Sequence, residues 1–189
     1  KTYGYQVVLD NINLKVKTGE IHGVVGKNGA GKTTLANILY GAVPKDCGEI
    51  LLDGVLVEFN SVAKARSHRI SKVHQELTLF PALTVAENIF VNAHYKKGLV
   101  RYGIINQEAA LMQAEKILAQ LHFTIDPRSR VEELGLAQQQ MVAIARAMAE
   151  NPRLLILDEP SAALTEQEVE HFLQTLRKIQ KTGVTILYI

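Results

Sequence analysis

Eight consecutive residues, Gly26-Lys27-Asn28-Gly29-Ala30-Gly31-Lys32-Thr33, match the pattern G-x-x-x-x-G-K-[ST]. Glycines at these positions let successive backbone N–H groups curl around an anion, where a Cβ would stand in the way. A helix that begins near Gly31 would point the positive end of its dipole at the same anion. Lys32 is placed to reach the β- and γ-phosphates of a nucleoside triphosphate, and the Thr33 hydroxyl is suited to Mg²⁺. Phosphate contacts are therefore expected from Gly26, Lys27, Asn28, Gly29, Ala30, Gly31, Lys32, Thr33 and Thr34. A glycine-rich turn by chance is the competing reading, and the strand before and helix after weigh against it.

A second chemical centre follows much later. In "LLILDEP" four apolar residues end at Asp158-Glu159, the carboxyl end of a strand, where open α/β sheets bind ligands. Asp158 suits Mg²⁺, directly or through water. Glu159 suits the orientation and deprotonation of a water attacking the γ-phosphate. Taken alone, "DE" reads as a helix cap or a solvated acidic pair; beside a phosphate loop, one acid for metal and one for water is the economical division. The two motifs together indicate a nucleoside triphosphatase.

Elements must hold these residues in place. "YQVVLDNINLKV" at 5–16 alternates apolar and polar residues and predicts a half-buried strand, closed by a turn at 17–20. "IHGVV" predicts a short strand feeding the loop, and 33–40 a helix stopped by Gly41. "GEILLDGVLVEF" predicts a hairpin turning at Asp53-Gly54. A short helix over 61–68 and a strand in "RISKVHQ" complete a β-rich first third. The middle reads as helical in "LTVAENIFVNAHYKKG" and in "NQEAALMQAEKILAQLHF". The second of these is capped by Asn106 and carries Leu111, Ala114, Ile117, Leu118 and Leu121 on one stripe. A helix over 138–150 then leads through Asn151-Pro152 to the strand "LLILD". The capping box Thr165–Glu168 opens a helix with Val169, Phe172, Leu173, Leu176 and Ile179 on one face, before the final strand "VTILYI". Alternating strands and helices imply an α/β fold with a parallel sheet covered on both faces.

Bulk properties narrow the class. The chain has 189 residues, 47% hydrophobic and 21% charged, enough apolar content for one packed domain. A net charge of +2 gives no basic field suited to nucleic acid. The lone Cys47 excludes an internal disulfide and fits a reducing compartment. The six histidines show no metal-ligand spacing, and no apolar run approaches a bilayer span.

The chain as a whole resembles the ATP-binding subunits of ABC transporters. "VHQELTLFPALTVAENIF" places Gln75 at the Q-loop, and "LGLAQQQMVAIARAMAENPRLLILDEPSAALT" matches signature, Walker B and D-loop in order. Its wording is closest to importers of ribose, galactose, xylose and related solutes. The resemblance implies a P-loop NTPase fold with a RecA-like parallel-sheet core, an N-terminal antiparallel β subdomain and an inserted α-helical subdomain. One ABC ATPase domain over 1–189 is expected, with core segments 1–76 and 141–189 and a helical subdomain over 77–140 ending in the signature loop. ATP and Mg²⁺ are the implied ligands. Glu159, Gln75 and Lys32 are the implied catalytic residues, and Thr33, Gln75 and Asp158 the metal contacts. Tyr3 resembles the aromatic residue that stacks on adenine, although a tyrosine in a polar stretch is often simply exposed.

Two departures from the family pattern stand out. In the signature turn Leu134, Gly135, Leu136, Ala137 and Gln138, glycine replaces the usual serine and Ala137 the second glycine. In the family this turn closes on ATP held by the other ATPase half, so the site it completes is expected to be weakened. The chain also ends at Ile189, where the family continues into a Ser-His switch. The resemblance then implies a truncated or incomplete chain that binds nucleotide better than it hydrolyses it. The intact Lys32 implies the first of two tandem halves. The implied partners are a second ATPase half, tandem or homodimeric, and transmembrane permease subunits. The permease would be met through the helical lobe and Q-loop, with the apolar run Leu77 to Phe90 as candidate contact; packing inside the lobe accounts for most of that run. Ser161 to Leu164 would form the D-loop facing the other half. The implied location is the cytoplasmic face of the membrane, peripheral, with no nucleic acid bound. A soluble ABC ATPase acting on ribosomes or DNA is the alternative; it predicts a basic arm or zinc insertion, and neither is visible. A small-molecule kinase shares the phosphate loop but not the order of motifs that follows.

Overall fold

In the computed structural model, residues 1–91, 100–101, 104–160 and 164–189 are described, with backbone alone at 100–101 and 104–105. The first elements are a small antiparallel pair, β1 (Thr2–Tyr3) and β2 (Gln6–Val7). After them come β3 (Ile21–Gly23), α1 (Lys32–Leu39), the hairpin β4 (Ile50–Leu52) and β5 (Val55–Val57), α2 (Val62–Ser67) and β6 (Ile70–Val73). The hairpin turns at Asp53-Gly54, both at positive φ (52° and 78°), as the Asp-Gly pair predicts for a two-residue turn. The middle holds α3 (Val85–Phe90), a short antiparallel pair β7 (Val100–Arg101) and β8 (Ile104–Ile105), α4 (Gln107–Gln120) and a single 3₁₀ turn at Val131–Glu133. Then follow α5 (Leu136–Met148), β9 (Leu154–Leu157), α6 (Glu166–Lys181) and β10 (Thr185–Tyr188).

The organising element is a parallel sheet in the order β3-β10-β9-β6. Because all four strands run the same way, the phosphate loop, Asp158-Glu159 and Gln75 all emerge at one edge, the carboxyl ends of their strands. Alternation sends the strand side chains to opposite faces. On one face Val73, Leu155, Leu157 and Ile186 pack with the helical middle and α6. On the other, Ile70, Ile156 and Leu187 pack with Ala36 of α1 and with Val57 and Phe59 of the hairpin region. The sheet is thus covered on both sides, as continuous apolar strands require.

Local signals place the helices. Asn106 caps α4, accepting from the Ala109 N–H at 3.2 Å. Thr84 and Glu87 form a reciprocal cap on α3, and Thr165 and Glu168 one on α6. Asn88 is fully buried and ties down the chain before α3: its amide donates to the carbonyls of Phe80, Leu83 and Thr84, and its Oδ1 accepts from the Phe80 N–H.

Several sequence expectations need correction. The strand predicted over 5–16 is absent beyond Val7. The Val8 and Leu9 N–H groups turn back to the Lys1 carbonyl (2.9 and 3.1 Å), Asn11 takes φ 47°, and the Asn13 amide donates to the Asn11 carbonyl. Asparagine side chains offer the backbone local partners in place of a ladder, and among the described residues no strand pairs with this segment beyond Val7. Ile12 and Leu14 remain exposed, and only Val16 of the alternating set packs on the core. Among the described residues the N-terminal antiparallel β component is two separate pairs, β1–β2 and β4–β5. In α6, Leu173 stays exposed and Thr175 is buried in its stead, its hydroxyl donating to the His171 carbonyl. Helix α5 begins two residues earlier than predicted, inside the turn it was expected to follow. The pair β7–β8 lies between the two segments read as helical, within the lobe expected over 77–140. The rest of the helix predicted beyond Val91 lies outside the described residues.

Candidate nucleotide site

Strand β3 delivers the chain into an exposed loop, and α1 begins at its end. Gly31, the residue that caps α1, has φ 89°, and a Cβ there would stand 2.8 Å from the Val8 carbonyl oxygen and 2.8 Å from Leu9 Cδ2. Gly29 also has positive φ (81°), but faces open space. The two glycines therefore meet different demands, one from packing against the N-terminal segment and one from clearance above the loop. Lys32 closes the loop on itself: its ammonium donates to the carbonyls of Gly26 (2.9 Å) and Lys27 (3.1 Å). An ammonium held by two exposed carbonyls, at a helix N-terminus, is free to exchange those bonds for phosphate oxygens.

Asp158 follows β9 and is buried, with its N–H bonded to the Val73 carbonyl. Its Oδ1 accepts from the Thr33 hydroxyl at 3.2 Å, bringing the two predicted metal contacts together. Its Oδ2 pairs with the Lys72 ammonium at 2.8 Å, and Lys72 also donates to Asn37 Oδ1 at 2.7 Å. Glu159 is half-buried at φ 48°, a conformation rare for a non-glycine residue, and its N–H donates to the Ile189 carbonyl at 3.0 Å. Such outliers persist where the surroundings over-determine them, commonly at functional sites. Gln75, at the end of β6, donates from Nε2 to Glu159 Oε2 at 3.1 Å. Sequence reasoning separated Gln75 and Glu159 by 84 positions, and the sheet joins them.

Beside Gln75, the His74 ring meets the Tyr40 ring edge-on at 5.8 Å. Burial, reinforced by the Lys72 charge, holds the imidazole below its ordinary pKa. A cleft opens here, lined by Tyr40, His74, Leu77, Thr78, Arg146 and Glu150. Arg146 donates to the Thr78 carbonyl at 2.8 Å, fixing the segment after Gln75 against α5. In the apolar run after it, Phe80 is exposed while Val85, Ala86, Ile89 and Phe90 are buried.

Other predicted residues stand apart from this cluster. Tyr3 is exposed on β1, with the Lys1 ammonium over its ring at 5.3 Å; β1–β2 leads directly into Val8 and Leu9 beside Gly31. The turn Leu134 to Gln138 opens α5, with Gly135 as its cap at φ −64°, ψ 159°. Among the described residues none of the turn's hydrogen bonds reaches the phosphate loop or the acidic pair. Its glutamines act locally: Gln138 Oε1 accepts from the Gly135 N–H, and Gln139 Nε2 donates to the Leu134 carbonyl. Gln140 is buried with its Nε2 unpartnered. Of the predicted D-loop, Ser161 to Ala163 lie outside the described residues, and Leu164 packs on the main core.

Sequence reasoning missed Lys72 and Asn37. The signal was present: a lysine inside the strand Ile-Ser-Lys-Val needs a buried partner, because an ammonium out of water is costly unless paired. A hard divalent cation suits the oxygens that Thr33 and Asp158 present; of the two Asp158 oxygens, Lys72 takes one. Among the described residues no three His, Cys, Asp or Glu side chains gather into a separate metal site.

The ABC transporter family model matches residues 9–162. Over 183 residues the chain is 44% identical to the xylose import ATP-binding protein of Thermoanaerobacter pseudethanolicus, covering 96% of this chain and 35% of that protein. It is 40% identical over 181 residues to the galactose/methyl galactoside import ATP-binding protein of Escherichia coli, with 96% and 35% covered. The chain thus spans about a third of the length of these relatives. Among solved structures, an ATP-binding cassette of an ABC transporter in its ADP conformation superposes with TM-score 0.85 at 25% identity, covering 100% of this chain and 77% of that one. A dimeric cassette in a post-hydrolysis state, bound to ADP and Pi, superposes with TM-score 0.79 at 29% identity, covering 100% and 82%.

Proposed function

The chain belongs to the ABC transporter family, and on that footing we propose that it binds ATP with Mg²⁺, hydrolyses it, and couples this to the import of a sugar or related small solute. The observation that carries the reading is the meeting of three separate segments at one sheet edge: the loop ending in Lys32-Thr33, the pair Asp158-Glu159, and Gln75. In this reading Lys32, Thr34 and the loop N–H groups hold the phosphates. Thr33 and Asp158 hold the metal ion, which would neutralise phosphate charge. Glu159 accepts a proton from the attacking water, and Gln75, bonded to the same carboxylate, orients both. Tyr3 is assigned to the adenine, beside the segment that packs on Gly31.

The working assembly in this proposal is a pair of ATPase halves, each completing the other's site with its Leu134–Gln138 turn. That division makes 1–76 and 141–189 the catalytic core and 77–140 the helical lobe. The permease would meet the cleft beside His74 and Arg146, with exposed Phe80 as an apolar anchor. No helix among the described residues is long and apolar enough to cross a membrane; in this proposal the protein sits at the cytoplasmic face, held by that partner. The relatives are named for sugar import, which supports this reading over a ribosome- or DNA-bound ATPase.

The test is Glu159→Gln in the complete protein assembled with its permease. Loss of a positioned general base should lower phosphate release by roughly 10²–10⁴-fold while nucleotide binding persists. Undiminished turnover would remove Glu159 from the role given to it.

A further inference from the structure

Strand β6 reads Ile70-Ser71-Lys72-Val73 and is buried along its whole length. Register sets Lys72 opposite Ile156 of β9, so Asp158, two residues further on, projects from the same face of the sheet toward α1. The two side chains meet there, each about 2% exposed, with the ammonium 2.8 Å from Oδ2. Asn37 of α1 supplies the ammonium's other acceptor at 2.7 Å, and the Thr33 hydroxyl engages the second carboxylate oxygen at 3.2 Å. The carboxylate that the metal must use is thus already neutralised by a cation built into the sheet.

We propose that Lys72 is a resident counter-cation of Asp158 that competes with the divalent metal for that carboxylate and raises the metal concentration needed for metal–nucleotide binding. This rests on the nucleotide site proposed above. A metal ion on Asp158 and an ammonium on the same carboxylate repel each other across a few ångströms of desolvated protein. Lysine can yield by swinging toward Asn37, its other acceptor. The same ammonium spares Asp158 from standing as an uncompensated buried charge when no metal is bound. Lys72 therefore acts as a positioning residue: it holds the carboxylate against Thr33 and sets the threshold at which metal replaces it.

The experiment uses the full-length protein, unaltered and as Lys72→Met and Lys72→Gln, with a fluorescent ATP analogue at fixed concentration and Mg²⁺ titrated from chelator upward. Both variants should reach half-saturation at about tenfold lower Mg²⁺ or less, the shift expected when a paired charge stops competing. Thermal unfolding without nucleotide supplies a readout independent of binding. Millimolar Mg²⁺ should leave the unaltered protein's midpoint in place and raise that of the variants, in which Asp158 lacks its partner. Lys72→Gln keeps a donor for Asp158 and carries the test if Lys72→Met does not fold. Equal half-saturation in all three proteins overturns the proposal, as does an unaltered protein that Mg²⁺ alone stabilises. An unaltered protein that binds no nucleotide at any Mg²⁺ concentration contradicts the proposed function instead, and the metal-only arm still judges Lys72.

Discussion

Adding one methyl group at Gly31 and the same group at Gly29 should produce two different defects. Both residues have positive φ, 89° and 81°, and left-handed backbone costs an L-residue roughly 1–2 kcal/mol. That cost is shared. At Gly31 the new Cβ also meets the Val8 carbonyl oxygen and Leu9 Cδ2, each 2.8 Å away. One of these is backbone and cannot swing aside, so overpacking adds about 1–3 kcal/mol. Gly31→Ala should therefore lose roughly 2–5 kcal/mol of stability and Gly29→Ala about 1–2. Urea unfolding followed by far-ultraviolet circular dichroism measures both; this chain contains no tryptophan to report by fluorescence. Nucleotide titration reverses the order. Gly29→Ala should stay folded but put its methyl in the open space where the proposed nucleotide's phosphates would approach the loop, so its affinity should fall by more than its stability explains. Equal stability losses in the two variants, or unaltered nucleotide affinity in Gly29→Ala, would refute the division of labour assigned to these glycines.

Two further outcomes are expected. Glu168 accepts from the Thr165 N–H and hydroxyl at the start of α6, and these bonds hold its pKa below the ordinary 4.5. A depressed carboxylate stabilises the fold fully above its unfolded value and loses that contribution as pH falls through the folded one. Thermal midpoints of the unaltered protein and Glu168→Gln should therefore differ most above about pH 4.5–5 and converge at lower pH; a gap that stays constant into acid argues against the charged cap. Gly135 has extended backbone and nothing within 4 Å of its would-be Cβ, so Gly135→Ser should change stability by only a few tenths of a kcal/mol. In the assembled complex it should tighten ATP at the site it completes by about 1.5–3 kcal/mol, the worth of a hydrogen bond to a charged group. An ATP affinity that does not move would take the turn out of the partner's site.

The chemistry was more legible in the sequence than the geometry that joins it. Gly26 to Thr33 and "LLILDE" announce themselves because phosphate binding demands particular residues at fixed spacing, and the apolar strand before each shows which end faces the ligand. The caps at Asn106 and Thr165 were equally readable, since capping is local. What escaped was whatever depended on a neighbour remote in sequence. The alternation in 5–16 imitates a strand, but a strand exists only with a partner, and asparagine side chains supply the backbone with closer bonds. Leu173 has the spacing of a core residue, yet Thr175 takes the buried position because its hydroxyl bonds the preceding turn. Lys72 inside its strand called for a buried partner but did not say which one, because Asn37 and Asp158 lie 35 and 86 positions away. The signature turn was recognised by likeness alone: its own bonds are local, and the site proposed for it belongs to another half.

The central claim is that the loop closed by Lys32 receives the phosphates of ATP. Isothermal titration of ATP with Mg²⁺ into the complete protein and into Lys32→Ala tests it directly, with circular dichroism to establish that both are folded. The ammonium that now bonds the Gly26 and Lys27 carbonyls should transfer to phosphate, so the variant should bind on the order of a hundredfold more weakly. A folded Lys32→Ala protein that binds ATP as tightly as the unaltered one would contradict the account.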